Sequence, residues 1–280
     1  MVRPQAPAVE TLAYLDGAWR TEGDAVAAEE PLQVSLDGRP LSVLMRTPGS
    51  DVELALGLLW AEGVITSLGQ VEQVLISAEA GEEESRIPVV AGLVESNQVD
   101  VRLRSAPARS VERSFLSSSA CGVCGATTVE ALARDFPVLP SGPVVEARAL
   151  LRMGSSLRAG QGLFDRTGGL HAAGLFSPGG DLLTLREDVG RHNAVDKVVG
   201  RALLDRALPL HGGVLVVSGR GGYELVQKAV AAGIPVMAAV GAPSSLAVAV
   251  ARRFEMTLAG FLREGRFNLY SCPERVEGAT

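Results

Sequence analysis

Cysteine is nearly absent: there are three in 280 residues. So small and odd a number cannot build a disulfide framework, and it suits a reducing compartment. Positive charge is not in excess either. Lys and Arg total 26 against 32 Asp and Glu, a formal net charge of -6. A protein that holds nucleic acid by bulk electrostatics needs a basic surface, so no nucleic-acid partner is expected, although a local basic pocket stays open. No apolar run reaches the roughly 20 residues needed to span a bilayer. The opening Met1-Val2-Arg3-Pro4-Gln5-Ala6-Pro7 has no apolar core of a secretory leader. No membrane partner and a cytoplasmic address are therefore the expectations. Internal repeats and low-complexity tracts are also missing.

A hydrophobic content of 47% with 21% charged residues is ordinary for a globular chain long enough for one large or two medium domains. Residues 1–28, rich in Ala, Pro and Gly, read as a loosely held, flexible arm with one short strand near Ala13–Leu15. Leu32–Leu36 and Leu41–Arg46 flank Asp37-Gly38, a pair suited to a tight hairpin turn. A helix follows over Asp51–Glu62, with Gly63 as a left-handed cap and Asp51 and Glu53 in the first turn, where the dipole favours negative charge. Residues 71–104 read as strands around an acidic, solvated turn at Glu82–Glu84, and Val99, Val101 and Leu103 alternate with polar residues as in a half-buried strand. Thr127-Thr128-Val129-Glu130 matches a capping box and predicts a helix over Thr128–Arg134. Residues 136–143 hold three prolines and serve as a linker.

The second half alternates in type. Helices are predicted over Glu146–Leu157, His192–Ala207, Glu224–Ala232 and Leu246–Glu255. Strands are predicted over Leu170–Phe176, Leu182–Glu187, Val214–Val217, Val236–Val240, Thr257–Phe261 and Phe267–Tyr270. Near-continuous Val and Ile strands between helices mean an α/β layer with both sheet faces covered.

Two of the scarce cysteines form Cys121-Gly122-Val123-Cys124. Three readings stand: half of a zinc site, a redox dithiol, or a nucleophilic, sulfur-carrying thiol. Zinc finds no second close pair, only Cys272, His171, His192 and His211. Gly122 and Gly125 and a Ser-rich lead-in favour an exposed, reactive thiol just before a helix N-terminus. The dipole there supplies about 0.3–1 kcal/mol, less than the ~1.36 kcal/mol of one pKa unit. A thiol near pKa ~8.5 therefore needs a cation as well, and Arg113 is a candidate. Deaminase chemistry is excluded: Ala120 replaces the proline of P-C-x-x-C, and His171-Ala172-Ala173 lacks the glutamate.

Val214–Val217 leads into Ser218-Gly219-Arg220-Gly221-Gly222 and a helix, an order that can aim free N–H groups at a phosphate, though it is neither a Walker loop nor G-x-G-x-x-G. A plain tight turn is the equal alternative. His171 follows Gly168-Gly169, and His192 lies in the charged stretch Arg186–Asn193 one helical turn from Asp196. Each histidine alone reads as structural; their place beside Gly-rich loops at strand ends favours a ligand crevice. Phe261-Leu262-Arg263-Glu264-Gly265-Arg266 lies between two strands and offers two guanidiniums to phosphates, or is an exposed charged hairpin. Cys272 reads as inert.

These pieces resemble the formate dehydrogenase accessory sulfur carrier (FdhD) family. The matching stretches are Glu30-Pro31-Leu32, Met45-Arg46-Thr47-Pro48, Ala61-Glu62-Gly63, Cys121-Gly122-Val123-Cys124-Gly125, Gly168–Ala173, Glu187–Lys197 and Ser218-Gly219-Arg220. The resemblance runs from about residue 28 onward and implies two domains: an N-terminal α+β domain with a β-rich sheet at 29–135, then, after the 136–143 linker, a larger cytidine-deaminase-like domain at 144–280 with a mixed sheet and helices on both faces. It implies a homodimer. It also implies a sulfurtransferase in which Cys121, assisted by Cys124, accepts persulfide sulfur from a cysteine desulfurase. That sulfur passes to bis-molybdopterin guanine dinucleotide before insertion into molybdenum formate dehydrogenase. Phe261, Leu262, Arg263, Glu264, Gly265, Arg266, His171, His192, Ser218, Gly219 and Arg220 become candidates to hold the guanine nucleotide portion, for which GDP is a partial mimic, and no resident metal is expected. The rivals are a dithiol–disulfide oxidoreductase, a cofactor-binding chaperone that carries no sulfur, and a zinc ribbon.

Overall fold

Strands that are apolar on both sides must be covered on both sides, and alternate residues then belong to different cores. The computed structural model describes residues 3–78, 87–108 and 136–279 and shows that division. Six strands form a mixed sheet: β8 (His171–Phe176), β9 (Leu182–Asp188), β10 (Val214–Val217), β11 (Val236–Ala239), β12 (Thr257–Arg263) and β13 (Arg266–Ser271), in the order β13-β12-β11-β10-β8-β9. β10, β11 and β12 run parallel, and the remaining pairings are antiparallel. Val214 and Val216 pack on α2 (Ala147–Ala159) through Leu150, Met153 and Leu157. Leu215 and Val217 pack on α4 (Arg191–Leu204), α5 (Tyr223–Ala231) and α6 (Ser245–Arg253). One more short helix, α3 (Gly162–Thr167), was not expected from the sequence.

A second sheet of five strands comprises β3 (Glu30–Leu36), β4 (Arg39–Arg46), β5 (Val71–Ile76), β6 (Val89–Ala91) and β7 (Gln98–Leu103), ordered β4-β3-β7-β5-β6. The β3–β4 turn is the expected one: Asp37 and Gly38 have φ of 51° and 78°. Its Asp37 carboxylate accepts from the Leu103 N–H at 3.0 Å. Val99 and Val101 are buried as predicted, but so is Asp100, whose carboxylate accepts from the Gly38 N–H at 3.0 Å.

α1 (Asp51–Ala61) lies between this sheet and the helices of the other one, and only Trp60 within it is not fully buried. Such a helix is apolar all round because it has no solvent face. It crosses α4 with backbones in contact. A Cβ at Gly57 would stand 1.9 Å from the Asp196 carbonyl oxygen, and one at Gly200 would stand 1.8 Å from that of Glu53. Trp60 adds a hydrogen bond from Nε1 to the Ala231 carbonyl at 2.8 Å. Asp51 and Glu53 occupy the first turn as expected, and both are buried and paired. Asp51 takes a two-pronged bond from Arg46 at 2.9 and 2.9 Å, and Glu53 takes one from Arg186 at 2.6 and 2.6 Å.

The first residues differ from expectation. Instead of one short strand near Ala13–Leu15, two eight-residue strands, β1 (Ala8–Leu15) and β2 (Ala18–Ala25), form an antiparallel hairpin. Its turn uses Asp16 at φ 50° and Gly17 at φ 83°, and Tyr14 packs on Trp19 at 5.1 Å. The acidic turn at Glu82–Glu84, the predicted helix over Thr128–Arg134 and the Cys121/Cys124 pair lie outside the described residues. No helix among the described residues is long and apolar enough to cross a membrane.

Candidate nucleotide-binding site

Parallel β10, β11 and β12 all end at one edge of the six-stranded sheet, and antiparallel β8 begins there. That edge is where open α/β sheets place ligands. It holds a cavity of about 1040 Å³ between α2, α3 and the strand ends, at the upper limit of the usual size of small-molecule sites. His171, Ser218, Leu262, Arg263 and Glu264 line it together, with Arg158, Phe164, Gly168 and Gly169 opposite. Five of the sequence candidates thus converge on one cavity. Phe261, Gly265, Arg266, Gly219, Arg220 and His192 are not on its wall.

The 261–266 segment lies within strands rather than between them. β12 continues to Arg263, β13 starts at Arg266, and the turn is only Glu264-Gly265, with Gly265 at φ 76°. A register irregularity between Gly260 and Arg263 accompanies Phe261 at φ 55°, a left-handed conformation for a bulky residue. The Phe261 N–H is held by the Gly241 carbonyl at 3.1 Å. The bulge leaves Leu262 buried against α2 and turns Arg263 to the rim. There Arg263 Nη1 donates to the Val240 and Leu262 carbonyls.

The Ser218–Gly222 loop spends most of its donors internally. The N–H groups of Ser218, Gly221 and Gly222 donate to the Ala172, Ala242 and Arg220 carbonyls at 2.9, 3.1 and 2.9 Å. The Ser218 hydroxyl accepts from the Ala172 N–H at 2.8 Å. Gly241 fits only as glycine, because a Cβ there would meet the Arg220 Cα at 2.8 Å. The exposed Arg220 side chain is what this turn leaves facing solvent.

The 187–197 stretch divides its residues between holding and facing the edge. Glu187 accepts from the Leu163 and Phe164 N–H groups at 2.9 and 2.8 Å, capping α3 and so fixing one cavity wall. Asp188 is fully buried. It binds Lys197 Nζ at 2.7 Å, the Thr47 N–H at 3.2 Å, the Gly190 N–H at 2.8 Å and Asn193 Nδ2 at 2.9 Å. Lys197 also donates to the Thr47 carbonyl at 3.0 Å, and Asn193 to that of Met45 at 2.8 Å. These bonds join α4 to the end of β4.

His192 and Asp196 do not pair along α4; each reaches across to α5. Asp196 takes Lys228 Nζ at 2.7 and 2.8 Å. Burial raises its carboxyl while the Lys228 ammonium pulls it back down. His192 Nε2 lies 3.1 Å from Glu224. Burial, then Arg191, Lys228 and His171, depress His192 to about 3, so the contact is a hydrogen bond from a neutral imidazole, not an ion pair. His171 is lowered by burial and by Arg191, against the pull of Asp188. Cys272 is partly buried, and its thiol is pushed up chiefly by that burial. The edge therefore presents neutral imidazole and fixed guanidinium charge. It can bind and orient an anionic, partly apolar ligand: Arg263 stands at the rim, and Phe164, with Arg158 5.0 Å over its ring, forms the opposite wall.

Sequence reasoning missed Thr47, Asp188, Asn193 and Lys197 as a network, and Glu187 as a cap. The available signal was polar and charged residues set among Val195, Val198 and Val199, where an unpaired charge would be costly.

Known proteins resemble this chain in sequence and in fold. The model of the FdhD/NarQ family matches residues 27–277. A Streptomyces coelicolor protein named sulfur carrier protein FdhD is 47% identical over 267 residues, covering 93% of this chain and 92% of its own. Proteins of the same name from Mycobacterium tuberculosis and Sulfolobus acidocaldarius are 44% and 41% identical, covering 91% and 94% of this chain and 93% and 95% of theirs. A crystal structure from Desulfotalea psychrophila shares the fold, with a TM-score of 0.75 at 24% identity over 98% of this chain and 100% of that one.

Proposed function

Since the chain belongs to the FdhD/NarQ family, we propose that it is a sulfur carrier serving formate dehydrogenase, with Cys121 as the carrying thiol. The observation that supports this most is near-full-length similarity to proteins named sulfur carriers, together with the Cys121-Gly122-Val123-Cys124 pair in a chain with one other cysteine. In the first step the Cys121 thiolate attacks the outer sulfur of a persulfide on a cysteine desulfurase. The donor's S–S bond breaks, the donor cysteine leaves as thiolate, and a new S–S bond forms at Cys121. Cys124 assists by exchange. The acceptor substrate is bis-molybdopterin guanine dinucleotide, sulfurated before its insertion into molybdenum formate dehydrogenase.

In this reading the large cavity holds a guanine nucleotide arm. Arg263 contacts phosphate, and His171, Ser218, Leu262 and Glu264 shape the floor and rim. Phe261, Gly219, Arg220, His192, Gly265 and Arg266 act from beside the cavity, where a ligand extending past the rim meets them. The reading includes a cytoplasmic homodimer of two domains, 29–135 and 144–280, the larger one deaminase-like, with its mixed sheet between helices.

Mass spectrometry after incubation with a desulfurase and cysteine should find one added sulfur atom on the Cys121 peptide. Equal loading of Cys121→Ala would refute the assignment.

A further inference from the structure

α3 separates two cavities. Phe164 and Asp165 line the large one, whereas Arg166 lines a second, of about 350 Å³, between the start of the chain and the end of β4. Arg3, Arg46, Ser77 and Asn97 also line it, and among the described residues Asp51 is the one carboxylate on its wall. Three guanidiniums from three separate parts of the chain therefore meet one acid, and that acid is already held by Arg46 at 2.9 and 2.9 Å.

Glu30 supplies one further negative charge, bonded to Arg3 and 3.6 Å from Arg46 Nη1. Among the ion pairs of the described residues, one guanidinium is left over. It is that of Arg166, which is exposed and has no hydrogen bond or ion pair among the described residues. Arg46 is 2% exposed, and its Nη1 is buried without a hydrogen-bond partner among the described residues. A buried donor left unmet is costly, and an oxyanion in the cavity would relieve it. Asn97 uses its carbonyl oxygen for Arg46 at 3.1 Å and for Arg3, leaving its amide hydrogens as donors. A tetrahedral phosphoryl group presents three or more oxygens in different directions, which suits donors converging from several parts of the chain better than the single plane of a carboxylate.

We infer that this second cavity is a phosphoryl-anion site, separate from the nucleotide cavity and filled by the phosphate or diphosphate of a bound ligand. The inference stands whether or not Cys121 carries sulfur.

The test is calorimetric titration of the full chain with inorganic pyrophosphate at low salt, both without nucleotide and with one equivalent of GDP bound. Pyrophosphate should bind the parent, and Arg166→Gln should weaken that binding by at least about tenfold, with Arg166→Lys recovering part of it. Arg166 is exposed and unpaired, so the variant should melt as the parent does without ligand. The source of the phosphate follows from stoichiometry. Two equivalents of GDP per chain, the second lost in Arg166→Gln, indicate a nucleotide. One equivalent of GDP plus one of pyrophosphate indicates a free inorganic anion. Failure of pyrophosphate to bind the chain without GDP, its full displacement by the first equivalent of GDP, or equal affinity in parent and Arg166→Gln would each overturn the proposal. Should GDP fail to bind at all, the reading of the large cavity falls, while the Arg166 dependence of pyrophosphate binding still decides this one.

Discussion

The junction between the two large sheets and the open edge of the six-stranded sheet draw on the same residue types and use them in opposite ways. At the junction, Asp188, Asn193, Lys197 and Thr47 satisfy one another in a region closed to water. At the edge, Arg220, Arg263, Glu264 and Arg266 are exposed. The contrast shows that charge density in a sequence does not by itself mark a ligand site. Within Glu187–Lys197, the charges that looked most like binding groups are mostly consumed in holding the fold. The groups left to meet a ligand come from turns whose own backbone is already satisfied.

The contrast can be broken at its firmest point first. Lys197→Ala leaves Asp188 buried without its cation, and chemical denaturation should report a loss of about 3–5 kcal/mol. A loss near that of an ordinary surface change would mean that the junction is not closed as described. Gly200→Ala comes next, because its Cβ would collide with the Glu53 carbonyl, 1.8 Å away, and a backbone cannot swing aside as a side chain does. A destabilisation of about 1–3 kcal/mol is expected from overpacking, despite alanine's better helix propensity. Arg220→Gln at the edge provides the contrasting measurement and should leave the melting temperature nearly unchanged.

A pH-dependent effect is expected at His192, which stands between the two regions. Its pKa falls from 6.5 to about 3 in the fold, so the unfolded chain takes up the proton first. Its contribution is therefore complete above pH ~6.5 and drains away as pH falls toward ~3. One proton limits the slope to about 1.4 kcal/mol per pH unit. His192→Gln should remove that slope from denaturation curves taken between pH 7 and 5. An unchanged slope would place the imidazole in water rather than against α5.

Much of the fold was legible because its strands are nearly pure Val, Leu and Ala bounded by Gly and Pro; β8 to β13 lie where the pattern put them. What escaped was non-local. α3 is six residues long with no periodic face, and its first N–H groups are capped by Glu187, more than twenty positions onward. The β1–β2 hairpin carried the same Asp-Gly pair that revealed β3–β4, but its strands bury nothing and so show no alternation. Gly57 and Gly200 carry no sequence signal for the helix crossing, since only the partner backbone explains them. At the site, His171, Ser218 and Leu262–Glu264 could be grouped because they end strands. The assignment of Asp196 to Lys228 could not, because it depends on how α4 and α5 face each other.

The glycine crossing of α1 and α4 also sets what the molecule can do mechanically. With main chain resting on main chain, no pliable side chain is left there to act as a bearing, and a shift of even an ångström would drive carbonyl oxygens into α-carbons. The two sheets must therefore travel as one block. Movement that leaves this frame seated is confined to the periphery, where the six-residue α3 and the tip at Glu264-Gly265 lie.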